Sequence, residues 1–294
     1  MPKKPSAAKK IEEAKPTRPK PFLKWVGGKR QLLEEFRKRL PAFVRAYHEP
    51  FLGGGALFFE LAARGRFQKA YLSDLNPDLI ETYVVVQTWV EELIVSLKKH
   101  VHSREYYYSL RSVDPKTLDI IERASRLIYL NRTCYNGLYR VNSEGVFNVP
   151  FGNYKNPVIC DEDNLRLCSE ALKGVTLRHQ AFYAVMRDVT RGDFIYFDPP
   201  YHPVSKTASF ASYEKSGFGE DDHRRLKEIF TALDRKKCFV MLSNSYSTFT
   251  RKLFKEYKPE VVEATRAVNS KSSGRGPVKE IIVRNYKHSI AQKK

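Results

Sequence analysis

A doubly wound α/β fold, with a mostly parallel sheet and an inserted, mainly helical subdomain, is what this sequence predicts. Three observations carry the prediction. Apolar runs of strand character alternate with helical patterns on both sides of the middle of the chain. Three of those runs end in an acid, at Glu49, Asp74 and Asp198. The stretch from about 82 to 160 abandons the alternation for helical periodicity and then an Asn-, Gly- and aromatic-rich segment. Strands alternating with helices imply crossover connections and parallel pairing. Ligands of such sheets sit beyond the carboxyl ends of the strands, so the three acids are expected to face one crevice.

The elements follow in order. Residues 1–20 carry seven Lys/Arg, two Glu and four Pro, a net +5 with almost nothing to bury. They read as a disordered basic tail, with a short helical piece around Ala8–Ala14. The charge suits weak attraction to a polyanion or plain solubility. In "PFLKWVGGKRQLLEEFRKRLP" a glycine pair precedes a helical pattern with apolar Leu32, Leu33, Phe36 and Leu40. A strand at Tyr47–Glu49 leads into "PFLGGGALFFELAARG", read as turn and helix with Gly65 as the stop. "KAYLSD" is a strand. From about Ile80 to Asn131 the pattern is helical, with Trp89, Leu93 and Leu97 on one face. "NRTCYNGLYRVNSEGVFNVPFGNY" reads as a hairpin and loop. After Val175 the alternation resumes: "DFIYFD" and "CFVMLSNS" are strands, "EDDHRRLKEIFTALDR" is a helix with acids in its first turn, and "VKEIIVRNY" is a closing strand. The predicted organisation is tail 1–20, a catalytic and cofactor-binding domain from 21–81 plus 161–290, and a target-recognition subdomain at 82–160.

Composition narrows the function class. The 294 residues carry a formal net charge of +19, which favours polyanionic partners, nucleic acid or an acidic membrane surface. No run of 18 apolar residues exists, so no membrane helix is expected, and the N-terminus lacks the apolar core of a secretory signal. The four cysteines show no C-x-x-C spacing and no histidine cluster accompanies them. A metal site or disulfide framework is therefore not expected, and a reducing cytoplasm is.

The strand ends hold the chemistry. Gly53, Gly54 and Gly55 allow a tight turn and close approach of a ligand. Asp74 lies 21 residues beyond Gly53, at the end of the next strand, where an acid can accept from ribose hydroxyls. The dinucleotide pattern G-x-G-x-x-G fails, because Phe58 holds its third glycine position, and no P-loop is present. A ligand with a ribose and no phosphate fits better, and S-adenosylmethionine is the common example. In "DPPY", Pro199 and Pro200 lack N–H groups, so the segment offers rigid acceptors and few donors. Asp198 and the Pro199 carbonyl can together grip an amino group with two hydrogens, while Tyr201 offers a stacking face for a base. Gripping both hydrogens helps an amine whose lone pair is delocalised to pyramidalise and attack an electrophilic methyl.

These residues resemble, in order and over nearly all of 21–286, the Dam-type DNA adenine N6-methyltransferases. "PFLKWVGGKRQLL", "EPFLGGGALF", "YLSDLNPDLI", "YLNRTCYNGLYRVNSEGVFNVPFGNYKNP" and "IYFDPPYHPVSKTASFASY" each look like a signature of that family. The resemblance implies a Rossmann-like, S-adenosylmethionine-dependent methyltransferase sheet acting on a flipped-out adenine of double-stranded DNA. It implies that Trp25, Lys29, Phe51, Gly53, Gly55, Asp74 and Asp198 hold the cofactor. Asp198, Pro199, Pro200 and Tyr201 form the catalytic loop in that reading. Lys24, Tyr135, Asn136, Leu138 and Arg140 would read DNA, with Lys24 and Arg140 on guanine and Leu138 on a thymine methyl. The expected site contains GAT, GATC foremost. A cytoplasmic, nucleoid-associated enzyme is implied, monomeric or weakly dimeric; a companion restriction endonuclease is left open. Phe197 departs from relatives that carry cysteine there, and Arg275 in "NSKSSGRG" is a candidate phosphate contact. Two rival readings remain: an N-methyltransferase for RNA or protein glutamine, and a DNA-binding relative with a dead site.

Overall fold

The computed structural model describes residues 17–204 apart from 26 and 28, together with 217–265 and 277–287. The tail up to residue 16, the stretch 205–216 after the proline pair, and 266–276 with Arg275 lie outside the described residues.

Among the described residues, seven strands make one sheet. The strands β1 (Val44–Glu49), β2 (Phe67–Asp74), β3 (Thr176–His179), β4 (Phe194–Phe197) and β5 (Phe239–Ser245) are parallel. Strand β7 (Pro277–Arg284) is inserted antiparallel between β5 and β6 (Glu260–Thr265), so β6 runs in the direction of the first five. The order is β3-β2-β1-β4-β5-β7-β6. The chain leaves β1 toward β2 on one side and β4 toward β5 on the other, so the winding reverses between β1 and β4. The crevice above such a reversal is where open α/β sheets bind ligands. The doubly wound, Rossmann-like class read from the sequence is the observed one.

Local chemistry accounts for the elements. All four residues of β4 are buried, as a strand covered on both faces requires. Helices α1 (Leu33–Arg37) and α2 (Ala56–Ala62) bracket β1. Helix α3 (Pro77–Thr88) starts with Asn76 accepting from the Leu79 N–H and with a proline at its first position. Next come α4 (Val90–Leu97), α5 (Arg104–Ser112) and α6 (Ile120–Thr133), the last opened by a capping box of Asp119 and Glu122. After α7 (Glu162–Leu172) and β3, helix α8 (Glu220–Arg235) carries three acids in its first turn and links β4 to β5. The short α9 (Thr248–Leu253) follows β5.

One apolar layer packs Leu79, Tyr83 and Val86 of α3, Leu93 of α4, Ile128 of α6 and Leu165 of α7 on one sheet face. A second packs Leu226, Phe230 and Leu233 of α8 against Ile195, Phe197, Val240 and Leu242. A third, smaller core of Tyr107, Tyr129, Leu130, Phe147 and Val149 seats the hairpin on α5 and α6.

Three details differ from the sequence reading. β1 begins at Val44, three residues before Tyr47. The helical stretch from Ile80 to Asn131 is four helices: Trp89 leaves helical geometry at φ −132°, ψ 47°, and Ser103 and Asp119 cap fresh starts. Strand β6 has no counterpart in that reading, because a six-residue edge strand with an exposed Val261 leaves only a weak alternating signal.

Candidate active site and DNA-reading surface

Asp198 follows β4 directly, and the parallel register Phe197↔Leu242 sets Ser243 of β5 beside it. The Ser243 hydroxyl donates to Asp198 Oδ1 at 2.9 Å, and Lys29 Nζ lies 2.9 Å from the same oxygen. Because the single Ser243 proton is spent on Asp198, the 2.8 Å contact with Tyr196 has the tyrosine hydroxyl donating to Ser243. Burial pushes the Asp198 carboxyl above the usual range, while Lys29 and Ser243 pull it down. Lys29 is itself buried, donates to the Gly27 carbonyl at 2.5 Å and lies 4.5 Å above the centre of the Tyr201 ring.

The prolines shape what comes next. Pro199 is buried and Pro200 exposed. The first amide after Tyr201, that of His202, is turned away to Asn244 Oδ1 at 3.1 Å, which leaves the loop's acceptors facing few donors. Tyr201 donates its hydroxyl to Glu280 Oε2 of β7 at 2.7 Å, fixing the ring at one edge.

At the neighbouring strand ends, the Gly53 N–H donates to Asp74 Oδ2 and the Asn76 N–H to Asp74 Oδ1, both at 3.0 Å. The Leu75 N–H also bonds this carboxylate, so of its about four acceptor positions one remains for a ligand hydroxyl. Gly53 has φ +47°, and a Cβ there would sit 2.8 Å from Trp25 Cδ1, so glycine is required by both conformation and contact. Trp25 stacks on Tyr139, ring centres 5.3 Å apart, and Tyr139 in turn donates to Asp78 at 2.7 Å. Gly55 caps α2 with φ +63°. Phe51 packs in the second apolar layer, against Phe182 at 5.3 Å and Phe218 at 5.7 Å.

Glu49, the third strand-end acid, is only 3% exposed and accepts from the Tyr47 hydroxyl at 2.8 Å. Burial first, and then Asp198 and Asp74, raise its carboxyl to about 8. The folded protein thus keeps a proton that the unfolded chain releases near 4.5, so stability falls as pH climbs from there toward 8. Glu49→Gln, which keeps an acceptor for Tyr47, is expected to flatten that slope; thermal melts from pH 5 to 8 check it, and an unchanged slope would contradict the assignment.

The recognition stretch forms a hairpin. Cys134 bridges Phe151 and Val141 bridges Phe147, antiparallel in both cases. Asn136 and Gly137 turn in left-handed geometry, with φ 56° and 63°. Tyr135 and Asn136 are exposed, Leu138 is half-buried, and Lys24 Nζ lies 3.9 Å above the Tyr154 ring. Arg140 is aimed outward but its Nε and Nη2 donate to Asn148 Oδ1 and O, at 2.6 and 3.1 Å. A bidentate guanine contact needs that guanidinium to swing off Asn148. The expected site residues therefore fall into three groups: Trp25, Gly53 and Asp74 at the glycine loop, Asp198 with Lys29 at the end of β4, and Lys24 with 135–140 at the hairpin. Phe51 sits among aromatics, its ring centre 6.3 Å from that of Phe197, the residue before Asp198.

Sequence reasoning missed Ser243 and Glu280. Both lie on strands whose partners are fixed by register across the sheet, and "SNS" and "VKEII" carry no local mark of it. Among the described residues, no group of three or more His, Cys, Asp or Glu is placed to hold a metal, and no helix is long and apolar enough to cross a membrane.

Comparison with known proteins agrees with this geometry. The profile of the D12 class N6 adenine-specific DNA methyltransferases matches residues 25–268. The chain is 45% identical over 275 residues to the type II methyltransferase M1.LlaDCHI of Lactococcus lactis subsp. cremoris, covering 91% of this chain and 95% of that protein. It is 41% identical over 286 residues to the type II methyltransferase M.MjaIII of Methanocaldococcus jannaschii, covering 91% and 99%. With the DNA adenine methylase of Escherichia coli strain K12 it shares 33% over 265 residues, covering 89% and 93%. With the profile spanning the glycine loop, the hairpin and the proline loop alike, the chain belongs to the D12 class of N6 adenine-specific DNA methyltransferases.

Proposed function

We propose that this chain transfers a methyl group from S-adenosylmethionine to the exocyclic N6 amine of an adenine flipped out of double-stranded DNA, within GATC or another GAT-containing site. The observation that carries the proposal is the rigid, donor-poor loop Asp198-Pro199-Pro200-Tyr201 at the winding reversal, with its acid held by Ser243 and Lys29. Asp74 and Asp198 sit close enough to Glu49 to raise it, so Glu49 keeps its proton at neutral pH while the other two supply negative charge. Two such acids, in a chain of net charge +19, suit a cationic cofactor beside a polyanionic substrate. The remaining acceptor position of Asp74 suits a ribose hydroxyl, and Trp25 over Gly53 supplies an apolar wall, so the residues present fit S-adenosylmethionine.

When bound, the cofactor supplies the electrophilic methyl. Asp198 accepts one amine hydrogen and the Pro199 carbonyl the other, directing the nitrogen lone pair out of the ring plane. Tyr201, anchored through Glu280, stacks on the extruded base and offsets the lost duplex stacking. The nitrogen that takes up the methyl has one proton to lose, and the Asp198 carboxylate, already placed on an amine hydrogen, would accept it on its way to solvent. Lys24 and the strip 135–140 read the flanking bases, with Arg140 freed from Asn148. We assign 21–81 with 161–290 to catalysis and cofactor binding, 82–160 to target recognition, and the cytoplasmic nucleoid as the place of action.

The test is methyl transfer from labelled S-adenosylmethionine to duplex DNA, RNA and protein offered in parallel. Label in adenine of DNA is expected. Label in RNA or in protein glutamine, with none in DNA, would overturn the proposal.

A further inference from the structure

The segment that carries Lys24 and Trp25 has no strand of its own, yet two buried asparagines hold it by one device. Asn164 of α7 accepts from the Lys20 N–H at 2.9 Å and donates to the Lys20 carbonyl at 2.9 Å. Asn131, in the last turn of α6 and 0% exposed, accepts from the Lys24 N–H at 2.8 Å and donates to the Lys24 carbonyl at 2.7 Å. Each carboxamide takes the place of a neighbouring strand. The Lys20 carbonyl also accepts from the Cys168 thiol at 3.2 Å, and the difference that matters lies at the hairpin. The Asn131 amide also donates to the carbonyl of Gly137 at 3.1 Å, in the turn of the recognition hairpin.

That junction is tight. A Cβ on Gly137 would come 2.5 Å from Lys24 Cβ, so the two segments meet at contact distance. Next to it, Trp25 bridges from Gly53 in the glycine loop to Tyr139 in the hairpin. One buried side chain therefore sets the spacing between the segment leading into the cofactor end and the strip that faces the bases.

We propose that Asn131 is a positioning residue for target reading: its carboxamide fixes Lys24 relative to residues 136–140, so that both address the same site in DNA. This rests on the reading of Lys24 and 136–140 as DNA-contacting residues. Asn164 provides the internal control, since it clasps the same segment in the same way without touching the hairpin.

The experiment compares kcat/KM on a GATC duplex and on duplexes with the first guanine replaced, for wild type, Asn131→Ala, Asn131→Ser and Asn164→Ala. Both Asn131 variants are expected to lose discrimination about tenfold or more, the scale of one base contact, with Asn164→Ala discriminating as wild type does. Discrimination unchanged in a folded Asn131 variant, or lost equally in Asn164→Ala, overturns the proposal. A readout needing no variant accompanies it: in wild type, hydrogen exchange at the Lys24 amide is expected to slow on adding GATC duplex, with that at Lys20 unchanged. No change at Lys24 overturns the proposal as well. A wild-type enzyme that does not distinguish the duplexes at all would instead refute the reading of the DNA-contacting strip.

Discussion

Asp198→Ala is expected to lower kcat by at least about a hundred- to a thousandfold, the range for removing a preorganised group aimed at transition-state charge, while DNA binding stays within a few-fold of wild type. The residue lies at the end of β4, while the proposed DNA contacts lie on Lys24 and the hairpin, so affinity and chemistry are expected to separate. Asn at this position keeps the shape but strips Lys29 of its carboxylate and presents an N–H to an amine that needs acceptors; it should be equally inactive. The protonation state gives a second handle. The proposed grip on the amine requires the ionised carboxylate, and burial raises the pKa of Asp198, so the rate should fall on acidification at a higher pH than an ordinary aspartate would dictate. Lys29 opposes that rise, so Lys29→Met should move the acid limb of kcat/KM to higher pH still. A pH–rate profile that is the same for both proteins would show that Lys29 does not tune the acid.

Arg140→Ala is expected to cost about 1–3 kcal/mol of discrimination at a single base position, roughly 5- to 150-fold, with little effect at the others. The side chain is exposed and, among the described residues, hydrogen-bonds to Asn148, so its removal leaves the hairpin's backbone ladder, Asn148 N–H to Arg140 carbonyl at 3.1 Å among it, intact. Relative methylation rates across a set of duplexes varied one base at a time measure the effect. Uniform loss across all duplexes would make Arg140 a phosphate contact, and no loss would remove it from the interface.

What the sequence reveals and what it hides divide along one physical line. Asp198, the prolines and Tyr201 are contiguous, and the glycine loop lies one helix and one strand from Asp74, so spacing alone exposes them. Ser243 reaches Asp198 through the β4–β5 register, and Glu280 reaches Tyr201 through a strand whose antiparallel insertion no local pattern announces. Asn131 reads as one more polar residue near a helix end until Lys24, 107 residues away, is brought against it. The helical middle was legible as helix but not as four helices, because Trp89 continues the apolar stripe while its backbone breaks. Glu49 stood out as a strand end; its displaced titration arises only from burial beside two other acids.

The central claim is that this crevice methylates adenine in a sequence the hairpin and Lys24 select. Expressing the chain in a host that lacks adenine methylation, and sequencing its DNA by a method that detects N6-methyladenine, tests that claim most directly. Methylated adenine at GATC or another GAT-containing site, absent with Asp198→Ala, is the predicted result. Unmethylated DNA from cells holding the folded protein, or methylated adenine outside any GAT context, would contradict it.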